Sequence, residues 1–160
     1  MQALTALLKV SVESHKTELA YSLWLVKCYI MTNQTEKAWE CYLQIEYSNI
    51  AYEVLQLIGN ECYQLGGEQF LYAARSFDAL LKMDFYPDYI DGLLGACVGC
   101  FRYIVSSKWH AGDVGKKSKL SKLDSDNLKE VTEILESLPK GKKAAETIKA
   151  WAVQNRVYLS

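Results

Sequence analysis

Proline is nearly missing from this 160-residue chain, with Pro87 and Pro139 its two occurrences. The residue that removes a backbone donor and clashes with the preceding turn is kept out of long stretches, which suits long helices. Histidine is as scarce: His15 and His110 stand alone. No Ser-His-Asp, Cys-His or paired-carboxylate arrangement assembles around them, so the expectation is a protein without catalysis or cofactor. Strand-like alternation is nowhere sustained. No apolar run reaches the ~18–20 residues of a membrane helix; Leu93 to Phe101 comes nearest. Met1 to Val12 lacks the basic flank and small-residue cleavage site of a signal peptide. Insertion into a membrane is therefore not expected. Cysteine is present, but its number, five, is odd, which argues against a complete disulfide framework. Cysteines without a secretory signal point to a reducing compartment.

What the chain does have is core material. It is 50% hydrophobic and 12% aromatic, too apolar for disorder. Its length suits a single domain spanning 1–160. The net charge of −1 conceals an asymmetry: residues 1–101 hold 6 Lys/Arg against 12 Asp/Glu, and residues 102–160 hold 12 against 7. An acidic half joined to a basic half suits a piece that docks with oriented neighbours. Two ordinary solvated faces would read the same way.

The most informative pattern is a repeat. Tyr29, Ala38 and Tyr42 return as Tyr63, Ala73 and Phe77, at offsets of 34, 35 and 35 residues. A period of about 34 residues is that of a tetratricopeptide helical hairpin. The small residue lets two helices approach, and the aromatics fill the gap beside it. One hairpin cannot bury its apolar face alone, so hairpins stack and present a surface to other proteins. The expected fold is all-α: tetratricopeptide-like hairpins in a right-handed superhelix of about seven to eight helices.

Along the chain, the spacing of Leu4, Leu7, Leu8 and Val12 predicts a helix over 2–12. A polar turn is expected at Glu13 to Lys16. The hairpins follow at about 17–47 and 48–84, with turns at Thr32 to Thr35 and at Leu65-Gly66-Gly67. Thr35 is the expected N-cap of the first return helix. Asp84-Phe85-Tyr86-Pro87 breaks the chain, and a long helix is expected over 88–105. Residues 106–125, rich in Ser, Gly and Lys, read as a basic loop. A helical pair over 126–156 closes the chain, capped by Asp126 and turning at Pro139-Lys140-Gly141.

Several motifs invite chemistry and fall short of it. Cys97 and Cys100 form a CxxC, but a zinc site needs four ligands, and Cys28, Cys41 and Cys62 are scattered singly. A redox CxxC follows a strand, and none is visible. Buried helix-face thiols are the expectation, with metal or redox use the alternative. Gly92, Gly95, Ala96 and Gly99 share one helix face; they match neither a dinucleotide nor a P-loop fingerprint. Close helix packing is the expectation there, offsetting a propensity cost of roughly 1 kcal/mol per glycine. Lys116, Lys117, Lys119 and Lys122 cluster near Trp109, but the cluster is short and the pI is near 6.1, so a solvated loop or an acidic protein partner is favoured over nucleic acid. Asp78, Asp84, Asp88 and Asp91 lack the spacing of a calcium loop.

From Ala73 to Phe101 the sequence resembles a particular family. Ala73-Ala74-Arg75-Ser76-Phe77-Asp78-Ala79-Leu80-Leu81-Lys82-Met83-Asp84 is similar to its AKAFDxLxxxD segment. Pro87-Asp88-Tyr89-Ile90-Asp91-Gly92-Leu93-Leu94-Gly95-Ala96-Cys97-Val98-Gly99-Cys100-Phe101 is similar to the run that follows, with Ile90 replacing the usual Trp. Leu23 to Met31, Ala38 to Leu43 and Ile148 to Val157 match as well. The family is the tetratricopeptide-repeat subunit of intraflagellar transport complex B, also called tetratricopeptide repeat protein twenty-six or the DYF-thirteen protein. The resemblance covers about Ala20 to Val157 and falls in that family's C-terminal part. It implies a non-catalytic scaffold of the trains that carry ciliary cargo, in cilium and cytoplasm. Implied neighbours include intraflagellar transport protein 46, and implied cargo includes motility components. Aligning the hairpins places Lys27 and Glu61 on the usual inner, ligand-facing side as candidate protein-binding residues. A general peptide-binding module of co-chaperone type is the alternative, but its basic clamp for a terminal carboxylate is not evident.

Overall fold

The computed structural model describes the backbone of residues 2–109 and 121–155, and the side chains of 16–106 and 121–155. The protein is all-α. Among the described residues the helices are α1 (Gln2–Met31), α2 (Thr35–Leu43), α3 (Ser48–Leu65), α4 (Phe70–Met83), α5 (Pro87–Trp109), α6 (Lys122–Ser137) and α7 (Lys142–Gln154). They divide into two compact units, Met1–Ile58 and Gly59–Ser160, with α3 running through the division.

In the first unit α1 and α2 form a hairpin. The turn is closed by Asn33, whose φ of 59° is the left-handed conformation that ends helices. The Gln34 N–H donates to the Tyr29 carbonyl at 2.7 Å, and the Thr32 hydroxyl to the Cys28 carbonyl at 2.8 Å. Carbonyls orphaned at the helix end are thereby satisfied. Ala38 is fully buried, as are Val26 and Ile30 on α1. Trp39 packs against Tyr42 at a tilt of 46° with centroids 4.8 Å apart, and the Lys37 ammonium stands 6.0 Å from the centre of the Tyr29 ring. Ile50, Ala51, Val54, Leu55 and Ile58 supply the buried face of this part of α3.

In the second unit the remainder of α3 leads through Gly66 and Gly67 into a short 3₁₀ turn and then α4. Both glycines have positive φ, 66° and 59°, which glycine adopts at no steric cost. α5 packs on α4 and α6, and α6 on α7. Leu80, Leu93, Ala96, Cys97, Leu128, Val131, Leu135 and Ile148 form the core. The α6–α7 turn needs Gly141, because a β-carbon there would collide with the Leu135 carbonyl.

Three boundaries differ from expectation. The turn expected at Glu13 to Lys16 is absent: α1 continues through it. Those four residues are polar but include no glycine or proline, so nothing in the backbone stops the helix. Thr35 does not cap α2: Gln34 holds that position and Thr35 is buried in the first turn. Asp126 does not cap α6; Ser121 does, its hydroxyl accepting the Asp124 N–H at 3.1 Å. The basic stretch expected as a loop over 106–125 thus loses residues to α5 and α6 at its two ends, and 110–120, with Lys116, Lys117 and Lys119, lie outside the described residues.

Candidate docking surfaces and the core behind them

The repeat signature and the glycine stripe turn out to be one packing unit. α5 offers Gly92, Gly95 and Gly99 along a single face, and rings from α3 and α4 enter the space that β-carbons would occupy. A β-carbon on Gly92 would lie 3.1 Å from the Phe77 ring, and one on Gly99 would lie 2.8 Å from the Phe70 ring. At Gly95 it would meet the Tyr63 hydroxyl. The rings also pack edge-on with one another: Tyr63 with Phe70 at 5.8 Å and with Phe77 at 6.3 Å. Tyr63 and Phe77, read from the repeat alone as partners of Ala73, therefore also fill the stripe. What approaches α5 at the glycines is aromatic side chain from α3 and α4.

Cys62, Cys97 and Cys100 are buried within this core. Burial pushes the Cys62 and Cys100 thiols up to about 12 and raises Cys97 as well; nearby acidic or thiol groups add to each. A thiol held protonated is a poor nucleophile and a poor metal ligand. Among the described residues no group of His, Cys, Asp and Glu is arranged to hold a metal ion. α5 contains a stretch, Pro87–Ser106, long and apolar enough to cross a membrane, more than the sequence reading allowed. Leu93, Ala96, Cys97, Cys100 and Ile104 on it are buried in protein, while 28% of the apolar window as a whole is buried.

Two contacts in this unit have no signature in the sequence. Arg75 on α4 grips Glu130 on α6 with paired bonds of 2.8 and 2.9 Å while its guanidinium lies 5.3 Å from the Tyr72 ring centre. Phe101 on α5 meets Trp151 on α7 edge-on at 5.4 Å. Both join segments about fifty residues apart in the chain, so no local spacing announces them.

Lys27 is exposed and Glu61 half-buried; each engages a neighbouring residue and neither is free. Tyr21, Trp24 and Met31 form an exposed apolar strip on α1. A second exposed apolar patch sits at the α4–α5 corner: Met83, Phe85 at 72% exposure, and Tyr86. Of its aromatics Tyr86 is backed by other rings, edge-on to Tyr89 at 5.6 Å with Tyr89 against Phe77 at 6.2 Å.

The family model for intraflagellar transport protein 56 matches residues 1–160. The chain belongs to the intraflagellar transport protein 56 family. Membership makes it a component of intraflagellar transport, working with other transport subunits in cilia and flagella. In this family member the resemblance-bearing stretch Ala73 to Phe101 is the α4–α5 pair, the part in which signature rings and glycines interlock.

Proposed function

We propose that the chain is a non-catalytic scaffold subunit of intraflagellar transport complex B, supporting ciliary assembly and the transport of motility-related cargo. It acts by docking: apolar patches on its helices supply contact area, and charge complementarity sets orientation. Intraflagellar transport protein 46 is the neighbour proposed for it, in the cilium and in the reducing cytoplasm at the ciliary base. The observation that carries the reading is the family match over residues 1–160. Apolar side chains exposed on α1 and at the α4–α5 corner agree with a role in binding.

The test is a titration of the purified chain against reconstituted complex B subunits at low and high salt. Binding to at least one subunit is expected, weakening as salt screens exposed charges beyond about 8–10 Å. Binding to none of them, with clear binding to a carboxylate-terminated peptide, would replace this reading with the co-chaperone type.

A further inference from the structure

We propose that the α4–α5 corner, Met83 to Asp91, is a docking surface for a basic segment of a partner polypeptide that carries aliphatic side chains between its Arg or Lys residues. The proposal rests on the docking function above and names the chemistry of the partner.

Two properties of the corner select that occupant. The first is a preorganised apolar anchor. Met83, Phe85 and Tyr86 are exposed within four consecutive residues. Asp84 ends α4 in extended backbone, its N–H held by the Leu80 carbonyl at 2.8 Å. Pro87 is the first residue of α5, where its fixed φ suits a helix start. The Tyr89 N–H returns to the Tyr86 carbonyl at 3.0 Å. Behind this backbone the ring series Tyr86, Tyr89, Phe77 ties the surface to the core. A ring already held in place costs little ordering entropy on binding, and aromatics of this kind dominate interface energies.

The second property is charge. Asp84, Asp88 and Asp91 are exposed in the same stretch of chain as those rings, and none forms an ion pair among the described residues. The nearest cation in sequence, Lys82, is engaged with Asp78 at 3.1 Å. Partial charges do not cancel the excess: the last carbonyls of α4 add to it, while Asp88 answers the positive start of α5. A neutral apolar partner would leave the carboxylates desolvated and unpaired. An acidic partner or nucleic acid would be repelled. A guanidinium can do both tasks, bonding a carboxylate while stacking on an aromatic face.

The test uses the purified chain and an amidated peptide of about a dozen residues alternating Arg and Leu pairs, titrated by fluorescence anisotropy at physiological salt. Asp84→Asn/Asp88→Asn/Asp91→Asn keeps side-chain volume and should weaken binding by about tenfold or more. Phe85→Ala/Tyr86→Ala should do the same. Glu36→Gln/Glu40→Gln/Glu46→Gln removes equal charge elsewhere and should leave binding within about twofold of wild type. Equal losses in that control, unchanged binding in the corner variants, or no binding at all would overturn the proposal. If the aromatic variant melts early, the carboxamide variant decides alone. A dimer in sedimentation that the corner variants abolish would reassign the surface to a second copy of this chain. The same variants against purified complex B subunits separate the two readings. Wild-type binding that the corner variants retain sinks this inference and spares the scaffold function. Binding to no subunit sinks the function and leaves the peptide result to judge the corner.

Discussion

Gly99 lies beneath the ring of Phe70 so closely that a β-carbon on it would stand 2.8 Å from two ring carbons. That distance is inside van der Waals contact, and the ring is itself held edge-on to Tyr63. Gly99→Leu should therefore lose stability by overpacking, at the upper end of the ~1–3 kcal/mol usual for added core volume. For a chain of this size, that corresponds to a melting temperature lower by several degrees, at about 2–4 °C per kcal/mol. Gly99→Ala gains roughly 1 kcal/mol of helix propensity and should lose less. Gly95→Ala should be milder still, because its β-carbon meets the outer end of Tyr63, which is 42% exposed and can swing outward. Thermal melts that rank Gly95→Ala as the most damaging of the three would contradict this packing.

The same contact shows what sequence patterning can and cannot deliver. The recurrence of Tyr63, Ala73 and Phe77 marks a hairpin because local backbone geometry repeats with the period of its elements. The i, i+3, i+7 stripe of Gly92, Gly95 and Gly99 marks a close approach for the same reason. Neither pattern says that the aromatics of one fill the stripe of the other, since that depends on how α3 and α4 lie on α5. The Arg75–Glu130 and Phe101–Trp151 contacts were illegible on the same grounds. At Ser121 the information was local and present: Ser121-Lys122-Leu123-Asp124 has a capping serine with an acid three residues on. The lysine-rich composition around it carries the opposite signal, that of a loop. At Glu13 to Lys16, polarity alone does not mark a turn, because polar residues occupy the outer face of any surface helix.

The buried thiols make stability depend on pH in one direction. Cys62 and Cys100 ionise near 9.0 when unfolded and at about 12 when folded, because burial disfavours the thiolate. Below pH 9 both states hold the proton and the contribution is constant. Above it the unfolded state releases protons that the folded state keeps, so stability falls as pH rises from about 9 toward 12. The slope approaches ~1.4 kcal/mol per pH unit for each fully linked thiol. Urea midpoints measured from pH 7 to 10 should fall, and a Cys62→Ala/Cys100→Ala variant should fall less steeply. Parallel curves for the two proteins would remove the thiols from the explanation.

Arg75 and Glu130 are expected to be coupled energetically. Their side chains are 27% and 35% exposed, so water screens part of the attraction. Paired bonds of a guanidinium to a carboxylate restore some of it through fixed geometry. A double-mutant cycle with Arg75→Met and Glu130→Gln should give a coupling of about 1 kcal/mol, falling in high salt. A cycle that closes at zero would show the bridge to be an ornament of α4–α6 packing. Arg75→Lys should recover only part of the coupling, because a single ammonium cannot reproduce the fork.

The last prediction separates two roles for one hydroxyl. Thr35 precedes an acidic, helix-favouring run and has the chemistry of an N-cap, yet Gln34 occupies that position. Thr35 instead sits in the first turn of α2, 3% exposed, with no hydrogen-bond partner for its Oγ1 among the described residues. A capping threonine replaced by a non-capping residue costs about 1 kcal/mol. A buried hydroxyl without a partner carries a desolvation cost, and valine has nearly the same shape without it. Thr35→Val should therefore leave stability unchanged or raise it by up to about 1 kcal/mol. Ser76 on α4, fully buried and likewise without a partner for its hydroxyl among the described residues, should respond in the same direction to Ser76→Ala, with the helix propensity of alanine adding to the gain. Urea unfolding of both variants decides the matter: a shift of the Thr35→Val midpoint to lower urea, equivalent to about 1 kcal/mol, would return the capping role to Thr35.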